Sequence, residues 1–218
     1  MLGLRGFYAI VDLAPALADD DGRTLELARQ LLVAHPCCLQ LRAKSAGART
    51  FATWARRLLP LCRAAGVPFC VNDRLDVALA AGADIAHFGQ DDLPLVDARR
   101  VAAGAGRSDL IIGISTHNRA QAIAAAEAGA DYLGFGPIFG TASKANPDPT
   151  VGLEALAEVC RTVPVPVVAI GGITLEDVGA VAAAGASAAA LIAAIATAPD
   201  PTAAGRQVAS AFTVLRTA

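Results

Sequence analysis

Residues 118–137 read NRAQAIAAAEAGADYLGFGP, and the phrase at their centre, Ala128-Gly129-Ala130-Asp131, decides the fold. An Ala-rich run that suits a helix ends at Gly129, and an apolar run rich in β-formers begins at Tyr132. Glycine just past a helix end supplies the left-handed residue that closes it, so the phrase reads as helix, turn, strand. It recurs as Ala81-Gly82-Ala83-Asp84 and as Ala184-Gly185-Ala186-Ser187, each after an Ala-rich stretch and before an apolar one.

Working outward from these anchors, strands are expected at 6–12, 38–42, 68–72, 85–89, 110–115, 132–137, 165–171 and 188–192. Helical patterns fill 24–34, 48–65, 74–81, 93–103, 118–128, 152–161, 174–184 and 201–215. Unbroken alternation with near-continuous apolar strands means a parallel sheet covered by helices. Eight repeats in 218 residues predict an α/β fold, a single (β/α)8 TIM barrel, with one domain over 1–218. A doubly wound open sheet is the alternative. No linker interrupts the pattern, although 140–150 carries Gly, Asn and Pro and reads as a loop able to close over a ligand.

The chain is 55% hydrophobic and 17% charged, with a net charge of −2. Disorder is excluded, and the lack of a basic run argues against a nucleic-acid partner, which requires a cationic face to displace counterions. A mean hydropathy of +0.49 raises the membrane question, since 178–198 carries no charge. Ala, Gly and Ser dominate that stretch, and the Gly185 turn divides it into a buried helix and a buried strand, so no membrane span is expected. No signal-peptide layout is present at the N-terminus, and a cytoplasmic address is expected. Five cysteines without C-x-x-C spacing and three scattered histidines suggest neither disulfides nor a His-based zinc centre.

In a parallel barrel the loops after the strands share one rim, so polar residues at strand C-terminal ends converge. The second strand ends in Gln40-Leu41-Arg42-Ala43-Lys44, the third in Asn72-Asp73-Arg74, and the fourth runs through His87 to Gln90-Asp91-Asp92. The fifth ends in Ser115-Thr116-His117, the sixth loop carries Thr141-Ala142-Ser143-Lys144, and the seventh ends in Gly171-Gly172. The period of two puts Gln40, Arg42 and Lys44 on one face, while Asp73 and Asp92 add carboxylates from adjacent strands. Cations, two carboxylates, hydroxyls and bare backbone suit a phosphorylated ligand carrying Mg2+, which keeps waters and takes one or two protein carboxylates. Gly171-Gly172 and the backbone after the eighth strand match the phosphate site that barrels build there. The same charges could instead tie strand ends together as ion pairs, and Gly171-Gly172 could serve only a tight turn. His87, within an apolar strand, reads as a satisfied core histidine; His117 suits either an orienting role or loop packing.

These residues resemble the thiamine-phosphate synthase family, from Gly6 to Asp200 and with motifs in the expected order. Gln40-Leu41-Arg42-Ala43-Lys44 is similar to its Q-x-R-x-K, Val71-Asn72-Asp73 to its V-N-D, and His87 through Asp92 to its H-x-G-Q-[ED]-D. Gly113 to His117, Gly134 to Phe139 and Ala169 to Ile173 also match. The resemblance implies a transferase that joins 4-amino-5-hydroxymethyl-2-methylpyrimidine diphosphate to hydroxyethylthiazole phosphate. Diphosphate would leave first, and the thiazole nitrogen would capture the pyrimidine-stabilised carbocation. Gln40, Leu41, Arg42, Ala43, Lys44 and Asn72 would hold the pyrimidine diphosphate, with Ser115 and Lys144 completing that site. Asp73 and Asp92 would hold Mg2+, while Thr141, Ala142, Ser143, Gly172, Ile192 and Ala193 would take the thiazole phosphate. Arg42, Lys44, Ser115 and Lys144 are the expected catalytic groups, acting on charge developing at the diphosphate.

The sequence departs from the family pattern at Ala43, where an acid is common, at Gly140 in place of Pro, and at Ser143 in place of Thr. Ala193 stands where Ser is common, which leaves only a backbone donor and implies weaker thiazole phosphate affinity. Two readings compete: a thiazole tautomerase on the same barrel, and a non-catalytic phosphate-sensing regulator. Apolar helix faces leave room for a homo-oligomer.

Overall fold

The computed structural model describes residues 3–13, 21–140 and 149–214. Eight strands alternate with helices: β1 (Gly6–Asp12), β2 (Cys38–Arg42), β3 (Phe69–Asn72), β4 (Ile85–Phe88), β5 (Ile111–Thr116), β6 (Tyr132–Phe135), β7 (Val167–Ile170) and β8 (Ala188–Leu191). They form a closed barrel in sequence order, every neighbouring pair parallel. Closure comes from β1 against β8, with Gly6 opposite Ala188 and Ala9 opposite Leu191. The (β/α)8 barrel expected from the alternation is the observed fold, and the open-sheet alternative is excluded.

The helices are α1 (Asp21–Val33), α2 (Ala48–Ala65), α3 (Leu75–Ala81), α4 (Leu95–Gly104), α5 (Arg119–Glu127), α6 (Gly152–Thr162), α7 (Val178–Ala183), α8 (Ala193–Ala196) and α9 (Pro201–Val214). The repeated phrase does what the sequence predicts. Gly82, Gly129 and Gly185 follow α3, α5 and α7 with φ of 75°, 91° and 99°, a region open to glycine at little cost. At its start, α5 is capped by Asn118, whose side chain accepts the Gln121 N–H at 2.9 Å. The uncharged stretch 178–198 resolves into α7, a turn, β8 and α8, and among the described residues no helix is long and apolar enough to cross a membrane.

Strand alternation divides the apolar residues into two cores. Outward residues such as Leu39, Leu41, Val71, Phe88 and Phe135 pack beneath the helices. Inward ones, including Tyr8, Ile10, Cys38, Cys70, Tyr132 and Val168, fill the barrel with Ala188 and Ala190. Two large tyrosines thus share a narrow lumen with small residues on β2, β3 and β8. Helix α9 seals the outside of β1, where a Cβ on Gly205 would meet the Phe7 ring at 2.8 Å.

Five polar side chains are buried among the described residues: Thr24, Gln40, Asn72, His87 and Thr116. All but Thr24 lie on β2, β3, β4 and β5 near the end where the strands run into their following loops. A buried polar group costs free energy unless it is satisfied, so this one-sided placement marks that end of the barrel as the site.

Candidate active site

A cavity of about 560 Å³ opens at the C-terminal ends of the strands. Gln40, Arg42, Lys44, Asn72, Asp73 and Ser115 line one side of it, and Gly171, Gly172, Ile192 and Ala193 line the other. On β2 Gln40 and Arg42 face the cavity, and Lys44, two residues past the end of the strand, lines it as well. Leu41 and Ala43 do not, because the same alternation turns their side chains into the core beneath the helices.

The acidic corner is built on strain. Asp73 has φ of 62°, and the Arg74 N–H reaches back across it to the Asn72 carbonyl at 2.8 Å, a γ-turn. A non-glycine residue held there costs of order 1–3 kcal/mol and requires support, which here includes the Asp73 N–H bonded to the His87 carbonyl at 2.8 Å. The turn brings the Asp73 carboxylate to hydrogen-bonding reach of Asp92 and to 3.6 Å from Lys44 Nζ. Burial, and then the neighbouring Asp92, push Asp73 up to about 6 against the opposing pull of Lys44 and Arg42. Asp92 also braces its own loop, its Oδ2 accepting the Gly89 N–H at 2.6 Å.

A test of this electrostatic strain arises directly. The folded-state value of about 6 lies above the ~3.9 of an unfolded Asp. Ionised Asp73 is therefore a stability cost at neutral pH, one that disappears as the pH falls through 6 toward 4. Asp73→Asn removes the charge, and Asn tolerates positive φ. In Mg2+-free buffer the variant is expected to melt a few degrees above the parent at pH 7, with the gap closing toward pH 4.5. Calorimetry at both pH values checks this; a variant less stable than the parent at pH 7 contradicts it.

Arg42 is ion-paired with Asp12, its register partner on β1, and both are mostly buried. Burial pushes Asp12 up, and the Arg42 guanidinium opposes the shift. Asn72, also buried, lines the cavity with no side-chain hydrogen bond among the described residues. Across the cavity Gly171 and Gly172 have φ of 97° and 67°. The loop after β6 packs flush on them: a Cβ at Gly171 would meet Pro137 Cβ at 2.5 Å, and one at Gly172 would meet the Gly140 carbonyl oxygen at 2.4 Å. His117 Nδ1 bonds the Gly136 carbonyl at 2.6 Å and holds the same loop from the other side.

A closed barrel with cations, two carboxylates and a glycine-lined wall on one rim is shared with proteins of known family. The family profile described as thiamine monophosphate synthase matches residues 7–195. The chain belongs to the thiamine monophosphate synthase family. It is 45% identical over 185 residues to a thiamine-phosphate synthase from Chlorobium phaeovibrioides, covering 85% of this chain and 87% of the relative. The corresponding enzyme of Anaeromyxobacter dehalogenans is 45% identical over 215 residues, 99% of this chain and 91% of that one. Among solved structures, a thiamine phosphate pyrophosphorylase from Pyrococcus furiosus superposes with a TM-score of 0.84 at 31% identity, covering 98% of each chain. The activity is thiamine-phosphate synthesis, a transferase reaction.

For a thiamine monophosphate synthase the expected site residues divide into three groups. Gln40, Arg42, Lys44, Asn72, Asp73, Ser115, Gly172, Ile192 and Ala193 come together around the cavity, and Asp92 stands behind Asp73. Leu41 and Ala43 face away. Thr141, Ala142, Ser143 and Lys144, with most of the loop read as a lid, lie outside the described residues. Tyr8 and Tyr132, which line the cavity, were missed, as was Asp12, which meets it only through its ion pair with Arg42. Asp12 had a signal, since it ends β1 as Arg42 ends β2, and the strand-end rule applied one strand earlier finds it.

Proposed function

We propose that the protein joins 4-amino-5-hydroxymethyl-2-methylpyrimidine diphosphate to hydroxyethylthiazole phosphate in a Mg2+-dependent, dissociative reaction. The observation that carries this reading is the Asp73–Asp92 pair, held on the cavity rim with Lys44 at 3.6 Å. Two hard oxygen donors in a corner whose negative charge is under-compensated fit a magnesium ion, and among the described residues no group of three or more ligands competes with that reading. Asp73 and Asp92 would hold the ion, which supplies positive charge against the developing diphosphate.

The chain's own groups do the rest. Lys44 and Arg42, which line the cavity, would face the oxygens that gain charge as the carbon–oxygen bond of the pyrimidine methylene breaks and diphosphate leaves with the electron pair. Asn72 and Gln40 orient the pyrimidine diphosphate, and Ser115 offers a hydroxyl to it. Gly172 and the backbone at Ile192 and Ala193 take the thiazole phosphate, which places the thiazole nitrogen to form the new carbon–nitrogen bond. No tuned general base is required, because the electrostatic work is done on a leaving anion. His117, whose Nδ1 meets the Gly136 carbonyl, braces the loop after β6.

Purified protein incubated with both substrates and Mg2+, followed by mass, tests the reading. Thiamine phosphate and diphosphate are expected in equal amounts, with no change in a thiazole carboxylate phosphate offered alone. Isomerisation of that compound without condensation would make the protein a tautomerase; binding of phosphates without either reaction would make it a regulator.

A further inference from the structure

The lumen beneath the cavity contains a continuous chain of hydrogen-bonding side chains whose middle members, Tyr8, Tyr132 and His87, the reaction as described above does not use. Gln40 Nε2 donates to Tyr8 Oη at 3.0 Å, and Tyr8 Oη lies 3.0 Å from Tyr132 Oη. Tyr132 Oη lies 2.9 Å from His87 Nδ1, and His87 Nε2 lies 2.9 Å from Ser115 Oγ. Gln40, Tyr8, Tyr132 and His87 are all buried, and Ser115 at the end of the series is the one partly exposed member, on the cavity wall.

Two glycines make room for it. A Cβ on Gly113 would stand 2.1 Å from Tyr132 Cζ, and one on Gly134 would stand 3.2 Å from His87 Cε1. Neither glycine has positive φ, so each is there for space and not for backbone conformation. The Ser115 backbone is held as well, its carbonyl accepting from Gln90 Nε2 at 2.6 Å.

We propose that Tyr8, Tyr132 and His87 are positioning residues of the reaction: the buried chain fixes the His87 tautomer with its proton on Nε2 and so aims the Ser115 hydroxyl hydrogen into the cavity. The direction follows from donor counting. Cys70 Sγ also lies against this chain, accepting from Gln40 Nε2 at 3.6 Å and within hydrogen-bonding reach of both tyrosines, but a thiol sulfur is the weaker acceptor. With the Gln40 amide nitrogen donating, the Tyr8 oxygen therefore accepts and its hydrogen goes to Tyr132. The Tyr132 hydrogen then goes to Nδ1, which must be bare, leaving the ring proton on Nε2 to donate to Ser115 Oγ. The serine oxygen is then occupied as an acceptor, and its own hydrogen is left for an acceptor in the cavity. Burial keeps both tyrosines protonated, as the chain requires. A donor aimed before the substrate arrives costs no reorganisation when charge develops, which is where such groups act.

The inference rests on the reading of Ser115 as a contact to the pyrimidine diphosphate, and its test separates the two. The chain has only three histidines, so 15N spectra of the imidazoles resolve His87 with a His87→Gln reference. The ligand-free protein is expected to show the His87 proton on Nε2 and Nδ1 bare, and Tyr132→Phe is expected to mix the two tautomers. In steady-state kinetics, Tyr132→Phe should lower kcat about tenfold with KM for the pyrimidine diphosphate changed less than about twofold. In a Ser115→Ala background the same substitution should cost nothing further. A proton on Nδ1 in the parent protein overturns the proposal whether or not Tyr132→Phe folds, as does an equal kcat loss with and without Ser115. Failure of the parent protein to make product would instead count against the proposed reaction and leave the tautomer measurement to decide the positioning role.

Discussion

Asp92→Asn is expected to fold normally and to lose about a hundred- to a thousandfold in kcat/KM, the cost of removing one charge-stabilising group. The substitution separates two roles that Asp92 combines. Its Oδ2 accepts the Gly89 N–H at 2.6 Å, a bond the Asn carboxamide oxygen preserves. Its charge bears on Asp73, and the carboxamide removes it. Activity near that of the parent would reduce Asp92 to a loop brace and leave Asp73 alone as the metal-binding carboxylate. Asp92→Ala is the useful companion, since it removes both roles and should also lower the melting temperature.

Gly172→Ala has the second-largest expected effect. At φ of 67° a side chain costs about 1–2 kcal/mol in backbone strain. The new Cβ would also press on backbone, the Gly140 oxygen at 2.4 Å and the Phe139 oxygen at 2.7 Å, neither of which can rotate away. Together these should destabilise by about 2–4 kcal/mol, lowering the melting temperature by about 5–10 °C. Because Gly140 leads directly into Thr141, the displaced loop should also raise KM for the thiazole phosphate at least tenfold. KM for the pyrimidine diphosphate, which the proposed reaction places across the cavity, should change far less. Equal effects on both substrates would show that Gly172 supports the barrel end as a whole and not one phosphate site.

The fold was legible because its punctuation is local. Gly82, Gly129 and Gly185 each close a helix with positive φ, and a turn that short leaves the chain nowhere to go but the next parallel strand. Boundaries slipped where side chains impose their own turn. Helix α7 begins at Val178 and not near 174, because Thr174 and Asp177 form a self-contained turn, with the Asp177 carboxylate accepting from Thr174 N at 2.9 Å and Oγ1 at 2.7 Å. The four-residue α8 was missed altogether, being too short to show a period.

The rim was legible for the same geometric reason, since strand ends converge in a barrel whatever their distance in sequence. Reading a motif as an unbroken string carried Leu41 and Ala43 along with Gln40, Arg42 and Lys44, although alternation turns them to the opposite face. Tyr8 and Tyr132 were missed because aromatic residues in apolar strands look like core, which they also are. The role proposed for them comes from side-chain contacts across the lumen among β1, β2, β4, β5 and β6, and no single strand displays that. His87 is both the satisfied core histidine its surroundings suggested and the residue that touches Ser115.

The central claim is that diphosphate departs toward a metal held by Asp73 and Asp92. Mg2+ should therefore be titrated into chelator-stripped protein supplied with both substrates, and the rate of thiamine phosphate formation measured. No product before the metal is added, with a saturable rise to full rate as Mg2+ increases, is the predicted result. Full-rate synthesis with the chelator still in excess would contradict it.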